Sequence, residues 1–75
     1  MTVDLEALLK DFSDEYKRIY DANDEVEGYE EMLWYGDSLI DECHDLCAAF
    51  ARYRGDFLSS DREVAAFGFA VSKLF

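Results

Sequence analysis

The chain has 75 residues, which is enough for one domain and too few for a second hydrophobic core. Its 18 acidic residues against 7 Lys and Arg give a formal net charge of −11, which argues against direct binding to nucleic acids or anionic membranes. Hydrophobic residues make up 51% of the chain and aromatic residues 16%, too many for an intrinsically disordered segment. We therefore expect residues 1–75 to form a single acidic folded domain.

The first predicted element is an amphipathic helix from about Val3 to Ala22. Thr2 is its expected N-cap, because a threonine hydroxyl can accept a hydrogen bond from the first helical turn. The segment from Asp21 to Asp24 is a predicted turn, since Asn and Asp accept left-handed backbone geometry. The apolar residues that recur at spacings of three and four are Leu5, Leu8, Leu9, Phe12, Tyr16, Ile19 and Tyr20.

The second predicted helix is long and runs from about Asp24 to Tyr53, and Gly55 is expected to end it. Gly36 occupies the place of a core residue, and the pattern fits either a continuous helix or one that breaks near Gly36. The apolar positions that define its inner face are Met32, Leu39, Cys43, Leu46, Phe50 and Tyr53.

The third predicted helix begins at Ser60, which forms a capping-box pattern with Glu63. Phe57 and Leu58 form a short apolar loop before it, which we expect to fold onto the core. Its inner face consists of Val64, Phe67, Val71, Leu74 and Phe75, whereas Phe69 lies off that face. The fold class predicted from these elements is all-α, a compact antiparallel three-helix bundle with four helices if the second breaks near Gly36.

The segment from Asp21 to Asp45 contains ten carboxylates and no Lys or Arg, so it supplies −10 of the net charge of −11. On a continuous helix that turns its apolar positions inward, most of these carboxylates point outward, about one per 3.7 Å of length. That spacing is close to the charge spacing of about 3.4 Å along one DNA strand. The predicted partner-binding residues are Glu27, Glu30, Glu31, Trp34, Asp37, Asp41 and Asp45.

Such a surface favours a basic protein partner, and its sharpest interpretation is nucleic-acid mimicry directed at a nucleic-acid-binding protein. The alternative is an ordinary solvated helix face. Such faces usually place Lys or Arg four residues from an acid, and this segment contains no Lys or Arg. Trp34 is either an exposed interface anchor or a residue buried against another helix. In its small size, acidity, aromatic content and predicted helices, the chain resembles phage-encoded anti-restriction and anti-CRISPR proteins. No motif matches one family, so the resemblance assigns no residues.

Two other classes of function remain open. One is a homodimeric structural or regulatory module that associates through Phe67, Phe69 and Phe75, with the acids serving solubility. The other is a metal-dependent hydrolase that uses carboxylates near His44. Asp41-x-x-His44 resembles half of a di-metal motif, but the partner Glu-x-x-His is absent, and only a second copy in a homodimer could supply it. We expect no catalytic residues, no cofactor and no bound metal.

The two cysteines favour a reducing compartment. Cys43 and Cys47 stand four residues apart on one predicted helix, where a disulfide has poor geometry, so we expect buried free thiols. Neither a signal peptide nor a membrane-spanning run is visible in the sequence. The predicted location is the cytoplasm, which would be the host cytoplasm for a phage-encoded protein.

Overall fold

The computed structural model describes residues 3–74, which form four α-helices and no strand. The helices are α1 (Leu5–Asp21), α2 (Tyr29–Glu42), α3 (His44–Arg54) and α4 (Asp61–Leu74). The predicted all-α helical bundle is thus confirmed, in its four-helix form. Within this part of the chain, no helix is both long enough and apolar enough to cross a lipid bilayer.

Helix α4 is the centre of the bundle. Helices α1 and α2 each pack along α4, and within residues 3–74 they do not pack against each other. Half of the residues of α4 are buried, namely Val64, Ala65, Ala66, Phe67, Gly68, Ala70 and Val71. Four of these seven are Ala or Gly, and their small size lets the neighbouring helices approach α4 closely. The acidic segment therefore lies on an outer helix, which is held to the bundle along one side.

Two glycines set the contact between α2 and α4. A Cβ atom built on Gly68 would lie 2.3 Å from the carbonyl oxygen of Met32, and one built on Gly36 would lie 2.3 Å from the carbonyl oxygen of Val64. Real side chains do not approach a backbone oxygen this closely, so only glycine permits the crossing. The prediction that Gly36 takes a core position on the second helix is confirmed, since it is buried.

Helix α1 is capped by Asp4, whose side chain accepts hydrogen bonds from the backbone N–H groups of Glu6 and Ala7 at 3.1 and 3.2 Å. The predicted cap, Thr2, lies outside the described residues. One acidic residue, Glu15, lies on the buried face of α1 and is only 5% exposed. It accepts hydrogen bonds from Arg18 at 3.0 and 3.1 Å and lies 3.7 Å from the Lys73 ammonium of α4, so its charge is compensated.

The prediction that the second helix begins at about Asp24 is wrong, because α2 begins at Tyr29. Asn23, Asp24 and Gly28 have φ angles of 53°, 70° and 80°, so the chain turns in the left-handed region before α2 begins at Tyr29. Arg62 of α4 holds this turn, because its guanidinium pairs with the Asp24 carboxylate and lies 5.0 Å from the ring centroid of Tyr20. The predicted turn near Asp21 to Asp24 is confirmed.

The long helix also breaks, but at Cys43 rather than near Gly36. Cys43 has φ −123° and ψ 57°, outside the helical region, and it separates α2 from α3. The break redirects the chain so that Phe50 of α3 enters the core. Its ring centroid lies 5.3 Å from that of Phe12 on α1 and 5.2 Å from that of Phe67 on α4. Burial of these aromatic rings favours the bend.

The connection between α3 and α4 follows the sequence signals only in part. Gly55 ends α3 in the left-handed conformation at φ 86°, as predicted. At the start of α4 the Ser60 hydroxyl accepts a hydrogen bond from the Glu63 backbone N–H at 3.3 Å, which matches one half of a capping box. Leu58 packs against the core as expected, but Phe57 is 76% exposed, so the prediction that it folds inward is wrong.

Candidate protein-binding surface

Four of the predicted partner-binding residues form a stripe along the outer side of α2. We define the acidic stripe as Glu30, Trp34, Asp37 and Asp41. At 100° per residue these four positions fall within an arc of about 60°, and at 1.5 Å per residue they cover about 17 Å of the helix. All four side chains are exposed. The side of α2 that faces α4 carries Gly36 and Leu39 instead, so the stripe points away from the bundle.

The other three predicted residues are exposed but lie off the stripe. Glu31 is on α2, about 100° around the helix from Glu30. Glu27 lies in the loop that precedes α2, and Asp45 lies in the first turn of α3, beyond the break at Cys43. The rod of about 37 Å expected from a continuous helix therefore does not exist, and the match to the charge spacing of DNA along that rod is wrong.

The basic residues of the protein are paired with acids outside the acidic stripe. In residues 3–74, six of the seven Lys and Arg side chains form salt bridges, and Arg52 is the exception. From the ten carboxylates between Asp21 and Asp45, these bridges engage Asp21 and Asp24. The eight carboxylates that form no salt bridge within the described residues are Glu25, Glu27, Glu30, Glu31, Asp37, Asp41, Glu42 and Asp45.

The stripe costs α2 some of its stability. Asp37 and Asp41 stand four residues apart on one face of the helix, where like charges destabilise a helix by about 0.2–0.5 kcal/mol. The last turn of α2 contains no basic residue, although a cation there would favour the helix dipole. Glu30 and Glu31 lie in the first turn, where the dipole does favour negative charge. Local helix stability thus accounts for the acids at the start of α2 and not for those at its end.

Trp34 lies between the carboxylates and is 67% exposed. Of the two alternatives left open by the sequence, burial against another helix is thereby excluded. An exposed indole among uncompensated acids offers a large apolar face to a partner, and its N–H group can donate a hydrogen bond.

The structure contradicts one of the three predicted homodimer contacts, Phe67, within the described residues. Phe67 of α4 is completely buried, with its ring centroid 5.2 Å from that of Phe50 on α3, so it cannot contact a second copy. Phe69 is half-buried, and the Arg18 guanidinium of α1 lies 4.8 Å from its ring centroid. Phe75 lies outside the described residues. Phe67 is buried because α4 lies at the centre of the bundle, and a helix packed on several sides presents few free apolar residues.

The residues near His44 do not assemble a metal site. In residues 3–74, no group of three or more His, Cys, Asp or Glu side chains is arranged to hold a metal ion. Cys43 and Cys47 are free and half-buried, and the Cys47 thiol lies 3.5 Å from the carbonyl oxygen of Leu39. Burial, with a smaller contribution from Cys43, raises the pKa of Cys47, so this thiol is a weaker nucleophile at neutral pH than an exposed one.

The structure also shows a surface feature that the sequence did not predict. An apolar groove of about 220 Å³ lies between the end of α2, the outer side of α3 and the loop before α4. Ile40, Ala48, Ala51 and Phe57 contribute to it, together with His44, Cys47 and Leu58. The sequence signal for it was weak, because alanines at helical spacing do not mark an exposed groove. It becomes recognisable only once the break at Cys43 has set α3 beside the loop.

Taken together, the fold and the surface define an acidic all-α bundle with an uncompensated face. Compared with known protein families, with characterised proteins and with solved structures, the chain shows no significant match.

Proposed function

We propose that the protein is a small binding protein whose acidic stripe engages a basic surface on another protein, acting there as an inhibitor. The observation that carries this proposal is the distribution of salt bridges. Within residues 3–74, six of the seven Lys and Arg side chains pair with other acids, and the eight exposed carboxylates between Glu25 and Asp45 form no salt bridge. A basic partner would supply the missing counter-charges, and the opposite potentials would accelerate association.

The partner we propose is a nucleic-acid-binding protein, on which the acidic stripe takes the place of phosphates. Basic grooves that bind phosphates release counterions when an anionic ligand enters, which makes such complexes strongly salt-dependent. The support for this version is the exposed, like-charged arrangement on one side of α2, together with the small size of the domain. The stripe of about 17 Å is shorter than the predicted rod, so the contact would cover a short stretch of a groove.

Replacing four of the carboxylates by their amides tests this function directly. We expect the variant with Glu27→Gln, Glu30→Gln, Asp37→Asn and Asp41→Asn to bind its partner about thirty-fold more weakly, at roughly 0.5 kcal/mol for each exposed charge pair. The partner is captured from a lysate of the cells in which the protein acts, and its affinity is then measured at several salt concentrations. Short duplex DNA or RNA added to the captured complex should release the partner.

A matched control variant separates the acidic stripe from net charge. Glu6→Gln, Asp11→Asn, Asp14→Asn and Asp61→Asn remove the same four charges from α1 and α4, and we expect this variant to bind nearly as well as the original protein. Equal losses in both variants would show that net charge alone drives binding. Affinity that does not change with salt, in a complex that nucleic acid leaves intact, would contradict mimicry.

Trp34 provides a second test of the same surface. Because it is 67% exposed, replacing it with alanine should leave the stability of the free protein nearly unchanged. Interface tryptophans often contribute 2 kcal/mol or more, so we expect Trp34→Ala to weaken partner binding about thirty-fold. Quenching of Trp34 fluorescence on binding gives an independent readout, since Trp34 is the only tryptophan in the chain. An unchanged emission spectrum at saturating partner would place the contact elsewhere.

A further inference from the structure

The apolar groove lies directly beside the acidic stripe. Ile40 of α2 lines the groove. Around the helix axis, the stripe residues Asp37 and Asp41 lie about 60° and 100° from Ile40. On α3, the groove residue His44 is followed immediately by Asp45. Three exposed carboxylates thus lie within one helical turn of the groove residues Ile40 and His44, and none of them forms a salt bridge within residues 3–74.

We propose that the groove receives one apolar side chain from a basic segment of the partner protein, next to the lysines or arginines that meet the acidic stripe. This inference rests on the proposed function and adds a specificity contact to it. A basic surface alone would be recognised by charge with little selectivity, whereas an apolar side chain beside the charges selects for position and sequence.

The size of the groove sets what can occupy it. Its volume of about 220 Å³ falls below the range of about 300–1,000 Å³ that is usual for pockets of drug-sized ligands. One aliphatic or aromatic side chain is therefore a suitable occupant. The wall is mostly apolar and includes the exposed residues Ala48 and Phe57, so the groove is open to solvent.

The charges around the groove favour a basic partner over a second copy of this chain. Two copies would each bring a net charge of −11 to the contact, and the carboxylates at the Ile40 end would face one another. Arg52 lies near the other end, one residue beyond Ala51, and is the only Lys or Arg in residues 3–74 without a salt bridge. Asp56 is next to the groove residue Phe57 and lies 3.7 Å from the Arg54 guanidinium, so the charges near Ala51 and Phe57 are of both signs. The carboxylates without a salt bridge lie near Ile40, and the basic residues of the partner belong at that end.

Two synthetic peptides test the proposal. Both are lysine-rich and identical except for one central residue, which is leucine in the first and alanine in the second. We expect the leucine peptide to bind about ten-fold more tightly, which corresponds to partial burial of one leucine side chain. In methyl NMR spectra the leucine peptide should shift the signals of Ile40, Ala48 and Leu58, and the alanine peptide should leave those signals nearly unchanged.

A substitution in the groove tests whether the leucine side chain of the peptide binds there. Ala48→Glu places a carboxylate in the groove at an exposed helical position, so the bundle should fold and lysine-rich peptides should still bind. We expect it to abolish the ten-fold advantage of the leucine peptide without weakening the alanine peptide. The control Ser13→Glu adds the same charge on α1, which contributes nothing to the groove, and should retain the advantage.

The outcomes separate this inference from the proposed function. The affinity of the alanine peptide, and its loss in the variant with Glu27→Gln, Glu30→Gln, Asp37→Asn and Asp41→Asn, report on the exposed carboxylates and not on the groove. The difference in affinity between the leucine and alanine peptides reports on the groove. Equal affinities for both peptides would overturn the inference and leave the proposed function in place, and so would self-association that perturbs the groove methyls in the absence of peptide. Failure of both peptides to bind would overturn both.

Discussion

Gly68→Ala is expected to lower the free energy of unfolding by about 3 kcal/mol or more, a large part of the total for a small domain. The new Cβ atom would lie 2.3 Å from the Met32 carbonyl oxygen and 3.3 Å from the Gly36 backbone nitrogen. Because both are backbone atoms, no side-chain rotation can relieve the overlap, and α2 must move away from α4. The gain in helix propensity, about 1 kcal/mol, offsets only part of this cost. Urea denaturation followed by circular dichroism measures the difference.

Two control variants isolate the close contact. Ser38→Ala, at an exposed position of α2, should change stability by less than about 0.5 kcal/mol. Gly55→Ala should cost about 1 kcal/mol because of the positive φ angle, since no atom lies within 4 Å of its added Cβ. A Gly68→Ala protein as stable as the Ser38→Ala protein would show that the two helices are not in backbone contact.

Glu63→Gln is expected to destabilise the protein by about 3 kcal/mol, because it removes one partner of a largely buried ion pair. The Glu63 carboxylate pairs with the Arg54 guanidinium, and both side chains are mostly buried, at 12% and 16% exposure. Arg54 also lies over the Phe12 ring, at 4.7 Å from its centroid, and one of its buried nitrogens already has no hydrogen-bond partner among the described residues. Loss of the carboxylate would leave this mostly buried cation with only the exposed Asp56 carboxylate, 3.7 Å away, as an acidic partner within the described residues.

The same carboxylate completes the start of α4. Its Oε1 atom accepts hydrogen bonds from the Ser59 backbone N–H at 3.2 Å and from the Ser59 hydroxyl at 2.8 Å. Gln at this position keeps an acceptor oxygen but loses the charge, so Glu63→Gln tests the charge more than the cap. Glu42→Gln is the matched control, because Glu42 is exposed and forms no salt bridge in residues 3–74. Its effect should stay below about 0.5 kcal/mol.

The effect of Glu63→Gln should depend on pH. Burial acts to raise the pKa of Glu63, but the hydrogen bonds from Arg54 and Ser59 outweigh it and hold this pKa below the usual value. A carboxylate with a lowered pKa stabilises the folded state above its unfolded pKa, about 4.3, and this contribution is lost as pH falls through the folded pKa. The stability difference between the two proteins should therefore be full at pH 7 and shrink at pH 3. A constant difference would contradict the ion pair.

The sequence predicted the fold class because its strongest signals are local. The spacing of Leu8, Phe12 and Ile19 marks α1, Gly55 marks the end of α3, and Ser60 with Glu63 marks the start of α4. Each depends on neighbours within one or two helical turns, and such contacts are encoded in short stretches of sequence. The outward position of the carboxylates on α2 was predictable for the same reason.

The break at Cys43 could not be predicted in this way. Nothing in the residues near Cys43 stops a helix, whereas Gly36 is a recognised weak point. The choice between them depends on distant partners: Gly36 contacts Val64, and Phe50 can reach Phe12 and Phe67 only after the bend. The apolar groove was missed for the same reason, since the bend is what places α3 beside Leu58.

The glycine contact between α2 and α4 has a consequence for how this protein can change over evolutionary time. A helix anchored by main-chain contact on one side places few demands on the identity of the residues on the opposite side. Substitutions at Glu30, Trp34, Asp37 and Asp41 would then alter the proposed partner contact while leaving the architecture intact. Such a scaffold would allow the proposed binding surface to follow a changing target without the need for compensating changes in the interior.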